Sequence, residues 1–357
     1  MVTIVEVAKQ AGVSKSTASR VLTTIQGRRS VRPATAAQVL KAANELGYQP
    51  NMMAVGLKTG QSRLCVALVE GLSNPMTSRL IEALVLSCGR RGYHLLLEPY
   101  SRFTEDGPAL PIGVDGVFIV NEGTDVDWGL LSALTDTRKV VLVGWPPVDA
   151  AVDQVSDDDH QGVWMAVEHL ARLGHSEIGF IGAAQPASMQ RRFNAFLNAL
   201  SSLGLFCREQ HCEVEEVIPG QVNNESHFSL GFCAMEDLLM ADDPPTAILC
   251  ANDLIACGAV QAAIAIGAQV PEDISVCGFG DTPQAQFSWP PLTTVQTPVH
   301  SIAETAAEMM VKLLRDGKIS SDQVFLSPKL VVRGSTGAIG PRTELGASPG
   351  TARRSES

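Results

Sequence analysis

The sequence contains no apolar run that approaches the ~18 residues needed for a membrane-spanning helix. It begins Met1-Val2-Thr3, without the basic and apolar segments of a secretory signal peptide. Its eight cysteines include no C-x-x-C pair and no histidine at metal-ligand spacing. These absences argue against a membrane protein, a disulfide-stapled domain and a zinc domain. They predict a cytoplasmic protein with buried, reduced thiols.

Motifs of catalysis are missing as well. We find no G-x-S-x-G element, phosphate-binding P-loop, zinc spacing or paired acid and base. We therefore expect no enzyme, no catalytic residues, no metal and no cofactor. The acidic run Asp157-Asp158-Asp159-His160 comes nearest to a metal cluster, but it precedes a predicted helix. Carboxylates at that position cap a helix and compensate its dipole, and we favour this interpretation.

The most informative stretch is residues 3–22, which predicts two short helices joined by a glycine turn. Thr3 and Glu6 have the spacing of a capping box. Gly12 ends the first helix and Ser14 begins the second. Apolar residues at helical spacing give each segment one buried face: Ile4, Val7, Ala8 and Ala11, then Ala18, Val21 and Leu22. This pattern indicates a helix-turn-helix, whose second helix enters the DNA major groove, or else an ordinary helical hairpin.

The distribution of charge favours the DNA-binding interpretation. The formal net charge of the chain is −11. Residues 1–63, however, hold nine Lys and Arg against two acidic residues, a balance of +7. The remaining 294 residues carry −18. A small basic head on an acidic body suits a DNA-binding module attached to a domain that must not adhere to DNA.

The same stretch carries a family resemblance. The run T-I-V-E-V-A-K-Q-A-G-V-S-K-S-T-A-S-R-V-L closely resembles the opening of the lactose repressor (LacI/GalR) family of bacterial transcription regulators. The match continues through E-L-G-Y-Q-P-N at residues 45–51 and returns at Gly334-Ser335-Thr336. Because it covers nearly the whole chain, it disfavours the ordinary hairpin.

The resemblance implies a helix-turn-helix domain over residues 1–47 and a hinge over residues 48–60. In the family, the hinge becomes helical when two copies meet in the minor groove. Leu57 matches the family's wedging leucine, which unstacks a base step. A plain linker is the alternative, because Gly56 lowers helix propensity by ~1 kcal/mol relative to alanine. The residues expected to contact DNA are Thr3, Ser14, Lys15, Ser16, Thr17, Ser19, Arg20, Arg28, Arg29, Thr35, Tyr48, Asn51 and Leu57.

From residue 64 onward, apolar runs alternate with helical stretches, which predicts α/β structure with doubly wound, mostly parallel sheets. The predicted strands are Leu64–Val69, Tyr93–Leu97, Val117–Val120, Val140–Val143, Ile178–Ile181, Ala247–Cys250 and Ser275–Phe279. The predicted helices are Met76–Arg91, Gly162–Leu173, Ala187–Leu203, Ser229–Met240, Leu254–Ile266 and His300–Arg315.

For residues 61–336 the resemblance implies a bilobed, periplasmic-binding-protein-like core that binds an effector and forms the dimer. Lobe 1 would comprise about 61–158 and 293–323, and lobe 2 about 159–292 and 324–336. The chain would cross between lobes near Asp158, Pro291 and Val324. Residues 337–357, rich in Gly, Pro, Ser and Arg, are predicted to form a disordered tail.

Ligands of such folds collect at the carboxyl ends of the strands, facing the partner lobe. By resemblance, the expected effector contacts are Met76, Thr77, Trp145, Arg192, Asn252 and Asp281. Three of them have structural alternatives: a surface or interlobe salt bridge for Arg192, a helix cap for Asn252 and lobe packing for Trp145.

Two glycines, Gly144 and Gly280, stand where the family commonly has aspartates. We therefore expect Arg191 and Arg192 to lack neutralising partners. A cleft with that positive charge would favour an acidic, phosphorylated or nucleoside-like effector.

Together these features predict a sequence-specific DNA-binding transcriptional regulator, most often a repressor in this family. It would bind a pseudo-palindromic double-stranded operator as a homodimer. A small-molecule effector between the lobes (a sugar, polyol, sugar acid or nucleoside-like compound) would control operator affinity. A solute-binding protein for transport is the competing class, and a nucleobase- or nucleoside-responsive co-repressor-type regulator is a narrower alternative.

Overall fold

The computed structural model describes residues 2–23, 30–49, 61–100, 113–121, 134–135, 137–144, 152–184, 187–215, 224–317 and 319–340. The chain divides into two compact units, one of residues 1–65 and 110–115 and the other of residues 66–109 and 116–357. Five predicted contacts lie outside the described residues: Arg28, Arg29, Asn51, Leu57 and Trp145. Most of the predicted hinge, from residue 50 to 60, lies outside them too.

Three helices form the described part of the first unit: α1 (Ile4–Gln10), α2 (Lys15–Thr23) and α3 (Pro33–Glu45). Their small core confirms the predicted apolar faces, with Val7, Ala18, Val21 and Val39 fully buried. Pro33 occupies the first turn of α3, where its missing N–H costs no hydrogen bond. The helix-turn-helix predicted from residues 3–22 is confirmed.

Both predicted N-caps of this unit are present. The Glu6 carboxylate accepts a hydrogen bond from the Thr3 backbone N–H at 2.7 Å, which closes the capping box. That hydrogen bond also lowers the pKa of Glu6. The Ser14 hydroxyl accepts from the Thr17 N–H at 3.1 Å at the start of α2. Each cap thus fixes the start of its helix, and the Ser14 cap lies at the turn between α1 and α2.

The second unit is built on two six-stranded sheets among the described residues. The strands are β1 (Leu64–Val69), β2 (His94–Pro99), β3 (Gly116–Asn121), β4 (Val140–Gly144), β5 (Asp153–Asp157), β6 (Ile178–Ala183), β7 (Cys212–Glu215), β8 (Ala247–Cys250), β9 (Ser275–Gly280), β10 (Thr293–Gln296), β11 (Gln323–Leu326) and β12 (Lys329–Val331). The helices are α4 (Pro75–Arg90), α5 (Asp159–Arg172), α6 (Ala187–Ser202), α7 (Asn224–Met240), α8 (Asp253–Ala265), α9 (Pro283–Phe287) and α10 (Val299–Asp316).

The first sheet has the order β11-β5-β4-β3-β1-β2 and the second the order β12-β10-β9-β8-β6-β7. Parallel pairing joins β3 to β4, β4 to β5, β6 to β8 and β8 to β9, whereas β12 runs antiparallel to β10. The predicted doubly wound α/β class is confirmed. Every predicted strand and helix is present, most with ends shifted by up to three residues, and α7 begins five residues earlier than predicted.

Five strands and one helix were not predicted: β5, β7, β10, β11, β12 and α9. The clearest case is β5, whose sequence Asp-Gln-Val-Ser-Asp is polar although all five residues are buried. A polar strand gives no apolar run to recognise. It lies inside the sheet, between β4 and β11, so its burial follows from its position in the fold.

The predicted lobe boundaries need correction at two crossings. The crossing near Asp158 agrees with the step from β5 to α5. The next lies after Gln296 rather than near Pro291, because β10 pairs with β9 in the second sheet. The last lies between Leu326 and Lys329 rather than at Val324, because β11 pairs with β5 in the first sheet.

The start of the predicted tail is also not free. The Gly337 carbonyl accepts from His175 Nε2 at 3.0 Å, and the Ile339 N–H donates to the Leu173 carbonyl at 3.1 Å. These contacts tie residues 337–339 to the end of α5, and residues 341–357 lie outside the described chain.

The expectation of buried thiols holds for four of the eight cysteines: Cys65, Cys88, Cys250 and Cys277. Cys257 is half-buried, Cys233 is exposed, and Cys207 and Cys212 are half-buried with their Sγ atoms 2.6 Å apart. The helices that the structure describes include none that is long and apolar enough to cross a bilayer.

Candidate DNA-binding surface and effector cavity

The start of α2 presents a polar, basic surface. Lys15, Ser16 and Arg20 are exposed, whereas Thr17 and Ser19 are half-buried. The Ser14 hydroxyl lies 2.8 Å from the Ser16 hydroxyl and also caps the helix, so Ser14 contributes to the local structure as well. The cations are free to reach a surface because the apolar residues of α2 face the head core.

The other described DNA-contact candidates are partly engaged within their own unit. The Thr3 hydroxyl donates to the Glu6 carboxylate at 2.9 Å. Tyr48 packs against the head core, and burial raises its pKa. Thr35 is half-buried in the first turn of α3.

A cavity of about 120 Å³ lies in the second unit, between the carboxyl ends of strands from both sheets. Of the predicted effector contacts, Met76, Arg192 and Asn252 line it. Each sheet with its helices forms one half of the unit, and both halves contribute apolar side chains to the walls. These are Leu80, Val143, Met189, Phe279 and Ile302. The predicted location of the site at strand ends agrees with this geometry.

Thr77 and Asp281 do not line the cavity, contrary to the sequence expectation. Thr77 is buried on α4. The Asp281 carboxylate accepts from Arg333 at 2.5 Å and from the Gln296 amide at 2.7 Å. Asp281 therefore holds the second sheet's loop and strands together instead of facing a ligand.

The expectation of unneutralised arginines is also wrong. Asp159 is 1% exposed, and its carboxylate accepts from Arg192 Nε at 2.8 Å and lies 3.4 Å from Arg191 Nε. Arg192 donates further to the Ala251 carbonyl at 2.9 Å, and its guanidinium lies 3.7 Å from the centre of the Phe279 ring. The arginines are thus held by the protein's own carboxylate, ring and carbonyl.

A second buried carboxylate, Asp157, lies in the same cluster and accepts from the Thr297 hydroxyl at 3.1 Å. Burial, followed by the nearby negative charge of Asp159, raises its pKa, and Arg192 opposes that shift. With Asp253, which also lines the cavity, three carboxylates face the two guanidiniums of Arg191 and Arg192, a formal charge of −1.

The glycines that replace the family's aspartates occupy backbone positions that disfavour a side chain. Gly144 has φ +124°, and a Cβ there would lie 1.8 Å from the Asn121 carbonyl oxygen. Gly280 has φ +131°, and a Cβ there would lie 3.0 Å from Met76 Cε and 3.2 Å from Asp253 Oδ2. An added acid at either position would thus meet backbone strain before it met a ligand.

Asp253 and His227 are cavity residues that the sequence interpretation missed. The buried Asp253 carboxylate accepts from the Thr282 N–H at 2.6 Å and from the Thr294 hydroxyl at 2.5 Å. Burial raises its pKa. His227 is buried on α7, in the first five residues of that helix, which the sequence pattern did not predict as helical.

Asn252 forms the helix cap that was its structural alternative, and it also lines the cavity. Its side-chain oxygen accepts from the Ile255 N–H at 2.9 Å, which caps α8, and its amide nitrogen lies 3.3 Å from His227 Nδ1. Asp158 caps α5 by accepting from the Gln161 N–H, as the capping interpretation predicted. The described residues contain no group of three or more side chains suited to hold a metal.

Known proteins resemble the chain over both units. Residues 3–51 match the lacI family of bacterial regulatory proteins, and residues 167–336 match the periplasmic binding protein-like domain. The HTH-type transcriptional repressor PurR of Erwinia tasmaniensis is 33% identical over 355 residues, covering 96% of this chain and 98% of the relative. This chain belongs to the LacI family.

Other LacI-family proteins match at similar length. The ribose operon repressor of Escherichia coli K12 is 30% identical and covers 94% of this chain and all of its own length, 100%. A solved complex of the regulator CelR with cellobiose is 26% identical with a TM-score of 0.67, covering 94% of this chain and 100% of its own.

The lac repressor dimer bound to operator and the anti-inducer ONPF shares the fold, with a TM-score of 0.73 at 24% identity over 94% of this chain and 99% of its own. As a LacI-family member with repressors for relatives, the chain is a DNA-binding transcriptional regulator.

Proposed function

We propose that this LacI-family regulator binds a pseudo-palindromic double-stranded operator as a homodimer and that a small molecule in the 120 Å³ cavity controls its operator affinity. The observation that carries the proposal is the combination of an exposed basic start of α2 with a cavity shared by two sheets. Arg20, Lys15 and Ser16 contact bases and phosphates, and Leu57 acts in the hinge.

An effector controls affinity only if it binds two arrangements of the protein unequally. The cavity suits that requirement because its walls come from both sheets, so a ligand there touches elements that separate when the halves move apart. Its paired charges favour a neutral compound over the acidic effector expected from the sequence. A cavity of ~150 Å³ holds benzene, so the 120 Å³ found here limits the effector to a single ring. A monosaccharide or nucleobase would fit when the walls from the two sheets move slightly apart.

DNA binding by the helix-turn-helix is tested first. A bound site is selected from a random duplex library, and the affinity of the protein for that site is measured by gel shift. Arg20→Ala should cost ~1–3 kcal/mol on that site and relax preference at one base position. Lys41→Ala is the matched control, because Lys41 is exposed on α3 and pairs only weakly with Glu45 at 3.8 Å. Equal losses on the selected site and on random DNA would contradict a base-reading role for Arg20.

The cavity is tested by a thermal-shift screen of neutral sugars, polyols and nucleobases beside sugar acids. Glucose and glucuronate form a matched pair that differs in one carboxylate. We expect stabilisation by a neutral compound, and that compound should change operator affinity in wild type but not in Arg192→Ala. Preference for the acid of each pair would contradict the charge balance of the cavity.

A further inference from the structure

Three buried atoms of cavity-lining residues make no hydrogen bond within the described chain. Asp159 Oδ2 and Arg191 Nε form an ion pair with each other at 3.4 Å, which leaves His227 Nε2. His227 lies on α7, is 7% exposed and lines the cavity. Its Nε2 atom is buried and makes no hydrogen bond within the described part of the chain. Buried polar atoms of native proteins are nearly always paired, so a group left over at a ligand cavity points to a partner that arrives with the ligand.

The contact of the other ring nitrogen, Nδ1, shows which nitrogen of the His227 ring carries the proton. Asn252 caps α8 through its side-chain oxygen, which accepts from the Ile255 N–H at 2.9 Å. The Asn252 amide nitrogen must then face His227 Nδ1, 3.3 Å away, and an amide nitrogen only donates. Nδ1 is therefore the acceptor, and in a neutral imidazole the proton lies on Nε2.

The ring is neutral near pH 7 because burial lowers the pKa of His227. No carboxylate is hydrogen-bonded to it to stabilise an imidazolium in the described structure. The same helix cap that orders α8 thus orients the imidazole of this cavity-lining residue, and it leaves Nε2–H as a buried donor without a hydrogen bond in the described structure.

We infer that His227 is a specificity-determining residue of the effector cavity, where its Nε2–H donates a hydrogen bond to an acceptor atom of a neutral, single-ring effector. The inference rests on the proposed effector role of the cavity. The acceptor is a ring, hydroxyl or carbonyl oxygen, or an unprotonated ring nitrogen. The apolar wall formed by Met76, Met189 and Phe279 takes the face of the ring.

The ligand arm of the test uses D-ribose, D-glucose, myo-inositol, uracil and adenine, titrated calorimetrically into the full-length protein. His227→Phe removes the donor, whereas His227→Gln places an amide N–H near the former Nε2. For each compound that binds wild type, we expect roughly tenfold weaker binding by His227→Phe and binding within about threefold by His227→Gln. His94→Phe, at an exposed histidine, is the control and should bind like wild type.

Equal binding by His227→Phe and wild type would overturn the inference. Failure of the whole panel to bind wild type would reject the neutral single-ring class. Sequence-specific operator binding by the same preparation would then show that the DNA-binding part of the proposed function still holds.

A second arm needs no ligand. In protein labelled with ¹⁵N-histidine, the His227 signals are identified by their loss in His227→Gln, and two-bond couplings report the tautomer. We expect the neutral Nε2–H tautomer at pH 7. A proton on Nδ1, or a charged ring, would overturn the inference, because Nε2 would then be either an acceptor or part of a cation.

Discussion

Adjacent acidic residues at the start of α5 have different roles, although the sequence offers them as one cluster. Asp158 is partly exposed and caps the helix through the Gln161 N–H. Asp159 is buried and is the partner of Arg191 and Arg192. Capping is a local rule and could be predicted from the sequence. The ion pairs join residues over 30 positions apart on two helices, and no local pattern encodes them.

The pair therefore offers a matched stability test. Asp159→Asn removes the charge that balances two arginines, and breaking a buried ion pair from one side costs about 3 kcal/mol. Asp158→Asn should change the free energy of unfolding by less than about 0.5 kcal/mol, because asparagine caps helices as well as aspartate does. Urea unfolding of both variants measures the two effects. Similar values for the two would show that Asp159 is not a buried charge partner.

Asp157 gives a prediction about pH. Burial raises its pKa above the ordinary 3.8, so the folded protein binds this proton more tightly than the unfolded chain does. The contribution of Asp157 to the free energy of unfolding is therefore fully present below pH 3.8, and it is lost as the pH rises through the pKa of the folded state. Asp157→Asn cannot ionise, so its stability relative to wild type should increase from pH 4 toward pH 8, measured by urea unfolding.

Glu304 is the control of opposite sign. Hydrogen bonds from Arg91 and Arg90 lower its pKa from 4.5 to about 2. Its contribution is present above pH 4.5 and lost as pH falls toward 2, so Glu304→Gln should lose stability relative to wild type only above that window. Parallel pH profiles for both variants would contradict the shift assigned to Asp157.

At the scale of elements, α7 and α8 pack so closely that glycines form part of their interface. A Cβ on Gly231 of α7 would lie 1.9 Å from the Ile255 carbonyl oxygen of α8. A Cβ on Gly258 of α8 would lie 2.0 Å from the Phe228 carbonyl oxygen of α7. Helix α7 carries His227 and α8 carries the Asn252 cap, so this close approach positions two cavity residues.

Glycine-to-alanine substitutions test that packing, because the change in the free energy of unfolding should have opposite signs at close-packed and at open positions. In a helix without such a neighbour, alanine is favoured by ~1 kcal/mol, and Gly89→Ala in α4 should show this because nothing lies within 4 Å of its added Cβ. Gly231→Ala should instead destabilise by about 3 kcal/mol, since the backbone of α8 must shift. The urea concentrations at the midpoint of unfolding distinguish the two effects. Stabilisation by both Gly89→Ala and Gly231→Ala would contradict the close packing of α7 on α8.

The elements show where sequence patterns succeed and fail. The bounds of the strands Leu64–Val69 and Ala247–Cys250 are predicted correctly to the residue. Each is a continuous apolar run, which is typical of a strand in a parallel sheet that is covered on both faces. The polar β5 is missed because its burial comes from neighbouring strands. The start of α7 is missed because Asn224–Phe228 lacks an apolar period, and the omission left His227 outside any predicted element.

At the scale of the whole second unit, hydrogen bonds join the two halves beside the cavity. Arg79 of α4 donates to the Asp281 carbonyl at 2.6 Å, and the Thr297 hydroxyl donates to the Asp157 carboxylate at 3.1 Å. Asp157 and Thr297 line the cavity, and Asp281 directly follows Gly280, which lines it as well. A ligand that changes the separation of the halves would change these same bonds, which gives effector binding a physical route to the arrangement of the unit.

Across the whole chain, the separation of charge predicts different responses of the two binding activities to salt. Residues 1–63 carry +7 and the rest −18. A dimer that neutralises six to ten phosphates should lose about 10³- to 10⁵-fold in operator affinity between 50 and 200 mM KCl. Effector affinity should change less than about twofold over that range, because the cavity arginines are already paired with Asp159.

Two lysines locate the source of that salt dependence. Lys15 is exposed at the start of α2, and Lys15→Ala should reduce the slope of log affinity against log salt by about 2 for a dimer, one contact per head. Lys312 is similarly exposed but lies on α10, and Lys312→Ala should leave the slope unchanged. Gel shifts at four salt concentrations measure both slopes. An unchanged slope in Lys15→Ala would remove this lysine from the phosphate contacts, and an equal drop in Lys312→Ala would show that net charge, rather than the basic head, governs operator affinity.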